Sequence, residues 1–421
     1  MKIVWRIAVG LVTAVAAVLP ATSANALPRP LEDQWWFSAW GIQSDVWPTT
    51  TGAGVTVAVV DTGVNAKLPE LSGVVLPGAD TTGHDSDGRK DFDWDAGHGT
   101  AMAALIAAQG GGTTGYVGIA PDAKVLPIHG AEQLGDRIDI LFKAYADGIR
   151  YGVDHGAKVI SISLAIDSSR LPGHCEQSVQ DAVFYALQHD VVVVAGAGNF
   201  GASTNPPMMP ASCAGVLAVG AFDKHLQPYV GTERQSYVAL SAPGIGATIG
   251  KDGLYYPKSW GTSIATALTS GAVALIRSRN PGMSARTVVQ RLIGTARPLG
   301  TSKWNEQTGY GALQITAAMN PQRYPVPPNA PNPVFDAFDK WQASHSAAVA
   351  RPIPKSSVTR TSAESGHARK RLVVISLTAA GAIVVMLVVG GFLRRRRVNV
   401  ARAASTGDRK PHKNVFDTRS K

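Results

Sequence analysis

Four short stretches place side chains that could act on a carbonyl group, in the chain order acid, base, amide and hydroxyl. The apolar, mostly β-branched run Val55 to Val60 leads into Asp61-Thr62-Gly63. A carboxylate at the end of such a run, followed by a turn-permitting glycine, can orient a histidine, bind a metal or cap the next segment. Gly97-His98-Gly99-Thr100 opens the stretch Ala101 to Ala108, which is apolar all round. A helix without a polar face must be buried, so His98 would stand at the start of an interior helix and need a partner there. Val191 to Val194 runs into Ala195-Gly196-Ala197-Gly198-Asn199, which sets a side-chain amide after a glycine-rich turn. Gly261-Thr262-Ser263 opens a second small-residue helix through Ile264, Ala265, Ala267 and Leu268. Taken singly, a serine at a helix start is ordinarily an N-cap.

The elements that must carry these groups alternate. Val55 to Val60, Val125 to Ile128, Val159 to Leu164, Val191 to Val194 and Val216 to Val219 read as strands. Continuous apolar runs of that length, bounded by Gly, Asp or Asn, suit strands buried on both faces of a parallel sheet. Between them, Ile138, Leu141, Phe142, Tyr145 and Ile149, and then Val179, Ala182, Val183 and Ala186, recur at helical spacing. Repeated β-α-β units predict an open α/β sheet whose site lies beyond the carboxyl ends of the strands. No internal repeat is visible.

Val57-Ala58-Val59-Val60-Asp61-Thr62-Gly63-Val64, His98-Gly99-Thr100, Ala197-Gly198-Asn199 and Gly261-Thr262-Ser263-Ile264-Ala265-Thr266 together resemble the motif set of the subtilisin-like serine proteases. Gly118-Ile119-Ala120-Pro121, Ser161-Ile162-Ser163-Leu164 and Gly309-Tyr310-Gly311 add to the likeness, which runs from about Gly41 to Ala318. The resemblance implies a subtilisin-like, open, mostly parallel sheet with helices on both faces. It also implies a catalytic Asp61, His98 and Ser263, with Asn199 donating to the oxyanion. An extended substrate would pair along Ser161, Ser163, Leu164 and Ala165. Two positions depart from the pattern: Ala267 stands where the family has proline, and Ala165 where a glycine often lines the specificity pocket.

The chain has 421 residues and a formal net charge of +10, with 45% hydrophobic and 17% charged residues, which excludes a disordered polyelectrolyte. The excess charge sits at the ends. Residues 1–26 carry +2, residues 27–371 are neutral, and residues 394–421 carry +8. Lys2, the apolar run Ile7 to Leu19 and Ala24-Asn25-Ala26 describe a signal peptide over 1–26. An N-terminal extension follows over 27–54, too short for a folding-chaperone prodomain, and then the catalytic domain over 55–320. Prolines such as Pro325, Pro327, Pro328 and Pro331 mark a stalk over 321–371, although Phe335, Phe338 and Trp341 have the spacing to dock on the globular part. The uncharged run Leu372 to Leu393 is about 33 Å long as a helix and is read as a C-terminal transmembrane helix. Arg394-Arg395-Arg396-Arg397 and the basic tail over 394–421 place that side in the cytoplasm and the domain outside the cell membrane. No basic patch remains to call for nucleic acid.

That architecture, with Asp33-Gln34-Trp35-Trp36 and Ala39-Trp40-Gly41-Ile42, resembles the mycosins, the membrane-anchored proteases of type VII secretion systems. The likeness implies polypeptide substrates, no cofactor, and a partner in the secretion membrane complex. Two alternatives stay open: a general cell-surface quality-control or nutritional protease, and a scaffold in which the catalytic set is idle. Asp80, Asp85, Asp87, Asp91, Asp93 and Asp95 crowd the segment before His98, but lack the glycine and closing glutamate of a calcium loop and read as a solvated acidic loop. His84, His129, His155 and His174 lack ligand spacing, so no metal is expected. Cys175 and Cys213 are the only cysteines, and an exported pair most often forms a disulfide.

Overall fold

The computed structural model describes residues 27–349 apart from residue 85 and residues 132–137. The signal peptide read at 1–26, the stalk beyond 349, the span at 372–393 and the basic tail lie outside the described residues. Among the described residues no helix is long and apolar enough to cross a membrane.

A seven-stranded sheet is built from β1 (Thr56–Asp61), β2 (Ala79–Asp80), β3 (Lys124–His129), β4 (Val159–Ile162), β5 (Val192–Gly196), β6 (Leu217–Phe222) and β7 (Val238–Pro243). Its spatial order is β2-β3-β1-β4-β5-β6-β7, and every neighbouring pair is parallel. The valine-rich runs end up buried on both faces, as β5 and β6 are throughout. Beyond β7, β8 (Ile245–Ile249) and β9 (Tyr255–Trp260) form an antiparallel pair.

The helices α1 (His98–Ala107), α2 (Ile138–Asp154), α3 (Gln177–Gln188), α4 (Thr262–Arg279), α5 (Ala285–Gly294) and α6 (Pro333–Val349) complete the fold. α2 and α3 pack on each other, with α2 against Ala58, Ile128 and Ile160. α1 and α4 pack together, and α4 runs under β4, β5, β6 and β7. Its small residues make that possible: from Thr262 to Arg277 every residue is buried except Ser263.

Sequence direction reverses across β1, whose neighbours are β3 on one side and β4 on the other. A crevice opens beyond the carboxyl ends of strands at such a switch point. Val57, Ala58 and Val59 pair with Val159, Ile160 and Ser161, so Asp61 and Ser163 emerge on the same edge.

Two stretches outside the sheet bind its ends together. Between Asp33 and Trp47, Gln34 donates to the Val117 carbonyl at 2.6 Å, Trp35 to Ile245 at 2.7 Å, Trp40 to Leu313 at 2.9 Å and Trp47 to Ile119 at 2.9 Å. In the segment read from its prolines as a stalk, residues Pro333–Val349 are helical. Phe335 and Phe338 are buried, and Phe338 and Trp341 meet Phe184 of α3 with ring centroids 5.4 and 5.3 Å apart. The aromatic spacing outweighs the local proline content there.

Candidate active site

Asp61, the last residue of β1, is fully buried. Its Oδ1 accepts from His98 Nδ1 at 2.7 Å and from the Thr62 amide at 2.9 Å. With Nδ1–H committed to the carboxylate, the neutral ring carries its lone pair on Nε2, the nitrogen free to take a proton. Burial lowers the proton affinity of His98, but the facing Asp61 charge and hydrogen bond, with Asp93 and Asp91 behind them, outweigh it and raise the imidazole above its ordinary value. The close approach needs Gly99, where an added Cβ would fall 2.2 Å from the Gly63 carbonyl oxygen.

The acidic run before His98 is only in part the solvated loop its charge suggests: Asp95 is exposed and Asp87 half-exposed, but Asp91 is buried. Asp91 is 7% exposed; its Oδ2 accepts from the Thr100 amide at 2.9 Å and the Thr100 hydroxyl at 2.5 Å. Its Oδ1 accepts from the Thr62 hydroxyl, also at 2.9 Å, and Thr62 Oγ1 in turn accepts from the Gly99 amide at 2.9 Å. Asp93 takes the Gly97 and His98 amides at 3.0 Å each. These carboxylates occupy the orphan donors at the start of α1 and fix its first turn on the end of β1. The signal missed was long range: burial of Asp91 is set by Thr62 and Thr100, not by its neighbours in sequence.

Ser263 lies at the start of α4, where backbone N–H groups have no intrahelical acceptor. Its Oγ donates to the Ser163 carbonyl at 2.9 Å, and Ser163 Oγ donates to the Ser263 carbonyl at 3.1 Å. No hydrogen bond joins Ser263 to His98 among the described residues. Asn199 follows β5, and its Oδ1 accepts from the Thr262 amide at 2.9 Å and the Thr262 hydroxyl at 3.2 Å. Those bonds pin the amide group beside Ser263, and among the described residues none accepts from Nδ2.

The substrate wall needs one correction. Ser161 sits inside β4, paired with Val59 on one side and Val194 on the other, and is 1% exposed. Its main chain is spent on the sheet, so no added strand can pair with it. Ser163, Leu164 and Ala165 lie past the last β4 pairing and before Ile166–Asp167, which pairs with Met208–Met209. They lie outside the sheet ladder, and the Ser163 carbonyl takes the Ser263 hydroxyl.

Cys175 and Cys213 form a disulfide with Cα atoms 5.1 Å apart, tying the start of α3 to the loop that leads to β6. Asp80, His84 and His129 place one donor atom each within 4.8 Å of one another. Asp80 Oδ2 already accepts from His129 Nδ1 at 2.6 Å, while its Oδ1 takes the Thr82 amide and hydroxyl and the Gly83 and His84 amides. Metallation of His129 Nδ1 would leave a buried Nε2–H without an acceptor. The cluster fits a hydrogen-bonded brace of the β2–β3 edge better than a metal centre. Glu233, absent from any motif, is fully buried next to the Asn199 loop.

Residues 52–311 match the family model for Peptidase S8, the subtilase family. Fervidolysin of Fervidobacterium pennivorans is 30% identical over 320 residues, which cover 68% of this chain and 43% of that protein. Thus the chain spans about half the length of the first curated relatives it matches. Mycosin-3 of Mycobacterium tuberculosis is 30% identical over 87% of this chain and 85% of its own length. Among solved structures, MycP1 with its N-terminal propeptide removed superposes with a TM-score of 0.60 at 30% identity, over 70% of this chain and 98% of that one. A chain of the periplasmic assembly from the ESX-5 inner membrane complex has a TM-score of 0.60 at 28% identity, over 75% of this chain and 88% of that one.

Proposed function

The chain belongs to the subtilase family of serine proteases, related to the mycosins, and on that footing we propose that it is an endopeptidase with Ser263 as nucleophile, His98 as general base and acid, Asp61 as the group that orients His98, and Asn199 as an oxyanion donor. The observation that carries this reading is the 2.7 Å bond between His98 Nδ1 and the buried Asp61 carboxylate, beyond the end of the strand next to the one that leads to Ser163 and its partner Ser263.

In this reading the Ser263 hydroxyl turns from the Ser163 carbonyl to His98. Nε2 takes its proton as Oγ attacks the scissile carbonyl carbon, and Asp61 stabilises the imidazolium that forms. Negative charge gathers on the former carbonyl oxygen, which the Asn199 amide and the Ser263 backbone N–H receive; loss of one such donor costs about 2.7–4 kcal/mol. His98 then hands its proton to the leaving amine, and water, activated by the same imidazole, releases the acyl group. Main-chain groups of Ser163 to Ala165 would hold the substrate as an added strand. Labelling of the purified full chain with a fluorophosphonate tests the assignment: Ser263→Ala abolishes labelling, and continued labelling of that variant would refute it.

We infer further that the protein acts outside the cytoplasmic membrane as a component of a type VII secretion system. Support comes from the mycosin relatives, the likeness to a chain of the ESX-5 periplasmic assembly, the apolar runs at residues 1–26 and 372–393, and a disulfide suited to an oxidising compartment. One structural point also favours a scaffold role: the Ser263 hydroxyl rests on a carbonyl, not on its base. Secretion that survives Ser263→Ala but not deletion of the chain would put assembly ahead of proteolysis.

A further inference from the structure

Before Asn199 the chain is held by Val219 of β6 and by Thr262; beyond Asn199 the loop is held by the segment Gly231 to Gln235. The Gly201 amide donates to the Gly231 carbonyl at 2.8 Å, and Arg234 returns a guanidinium bond to the Gly201 carbonyl at 2.9 Å. Asn205 and Arg234 exchange main-chain and side-chain bonds at 2.7 and 3.2 Å, and Gln235 reaches the Asn205 carbonyl at 2.8 Å. At the centre of this clamp stands Glu233. Its Oε1 accepts from the Phe200 amide at 2.8 Å, so the carboxyl holds the peptide group that leaves Asn199. Its Oε2 is buried without a partner and presses on Gly198, where φ is +114° and an added Cβ would fall 2.4 Å from that oxygen.

We propose that Glu233 is a positioning residue for the Asn199 amide, and that the cleft works only while the Glu233 carboxyl is in its neutral acid form. The inference rests on the reading of Asn199 as an oxyanion donor. The surroundings of Glu233 offer no compensation for a charge. The phenols that face it, Tyr229 and Tyr237, are held protonated chiefly by burial. The nearest guanidinium, Arg234, is spent on the Gly201 carbonyl, and among the described residues no basic group pairs with Glu233. Burial without a counter-charge lifts its carboxyl to about 7. Once ionised, it sets a negative charge one peptide from the residue that must receive a developing oxyanion, and strains the clamp by drawing water toward Oε2. His98 works in the opposite sense, since it must lose its proton to act as base.

The test is the rate constant for phosphonylation of the full-length chain by a fluorophosphonate, followed from pH 5.5 to 9.5, for wild type, Glu233→Gln and Asn199→Ala. The wild-type rate rises as His98 deprotonates and falls again above about pH 7. E233Q, which mimics the neutral acid, keeps the rise, lacks the fall, and exceeds wild type about a hundredfold at pH 9 while staying within about threefold at pH 6. N199A is slowed about a hundredfold at every pH. Superimposed wild-type and E233Q profiles, with N199A slowed, overturn the role of Glu233 alone. An N199A rate equal to wild type, or no labelling of wild type at any pH, overturns the oxyanion reading and this inference with it. Should E233Q fail to fold, the wild-type profile decides: a rate that stays flat from pH 7 to 9.5 overturns the proposal.

Discussion

Ser263 and Ser163 hold each other through two hydrogen bonds in opposite directions, hydroxyl to carbonyl at 2.9 Å and at 3.1 Å. The pair locks the start of α4 to the end of β4 and parks the proposed nucleophile on a main-chain acceptor. Only one of the two bonds depends on the Ser163 side chain. Ser163→Ala should therefore lower the free energy of unfolding by about 1 kcal/mol in urea titrations and leave the fluorophosphonate labelling rate within about threefold of wild type. A loss of two orders of magnitude in rate would mean that the Ser163 hydroxyl takes part in the chemistry.

Asp91 should matter far more than its place in an acidic loop suggests. It accepts from Thr100 twice, from the Thr62 hydroxyl and from the Asp93 amide at 3.0 Å, all at the base of α1. Asp91→Ala leaves these donors buried and unpaired, and we expect a loss of about 3 kcal/mol in denaturant unfolding. His98 would also lose its fixed height over Asp61, so labelling well below the unfolding midpoint should slow by about 10- to 100-fold. Unchanged labelling would show that the Asp61 contact alone places the imidazole.

Stability should fall as pH rises from the acid range to neutrality. The Glu233 carboxyl is lifted from 4.5 to about 7 on folding. Below pH 4.5 it is protonated in both states and carries no penalty. Between there and about 7 the unfolded chain ionises while the native one keeps its proton, so stability is lost progressively, on the order of 3 kcal/mol in all. His98, raised above 6.5, acts in the same direction: the benefit of its imidazolium is full below that value and disappears as pH climbs through the native one. Unfolding titrations at pH 5 and pH 8 should show the decline for wild type and a smaller one for E233Q. Equal declines would remove Glu233 as a cause.

The disulfide closes 38 residues, from the start of α3 to the approach to β6. Replacing both cysteines with serine should cost about 4 kcal/mol if restriction of the unfolded chain dominates. Labelling at low temperature should survive, since neither sulfur touches Ser263, His98 or Asp61. Loss of labelling in a folded double variant would tie the Cys213 loop to the cleft.

Valine content made most of the sheet legible: β1, β3, β4, β5 and β6 each fall on a run of apolar residues that parallel strands buried on both faces require. β7 was hidden because Val-Ala-Leu-Ser-Ala-Pro has one β-branched residue and closes on a proline, and part of its pairing is with the distant segment Tyr310 to Leu313, whose amides reach Ala239 and Ser241. Asp61 and His98 were legible because each stands at a junction between an apolar run and glycines. Ser161 misled because the strand and the substrate wall are continuous in sequence, and only the pairing of β4 on both sides divides them. Asp91 and Glu233 had no local signature: a carboxyl reads as solvated unless the partners that enclose it, distant in the chain, are known.

The indole of Trp40 bonds to Leu313, 273 residues further on. During synthesis the tryptophan arrives early and its acceptor among the last of the folded residues. Until then the indole of Trp40 lacks its acceptor, whereas Trp47 finds Ile119 far earlier in the chain. Contacts of such long sequence separation make closure slow and leave a sticky intermediate for chaperones to guard.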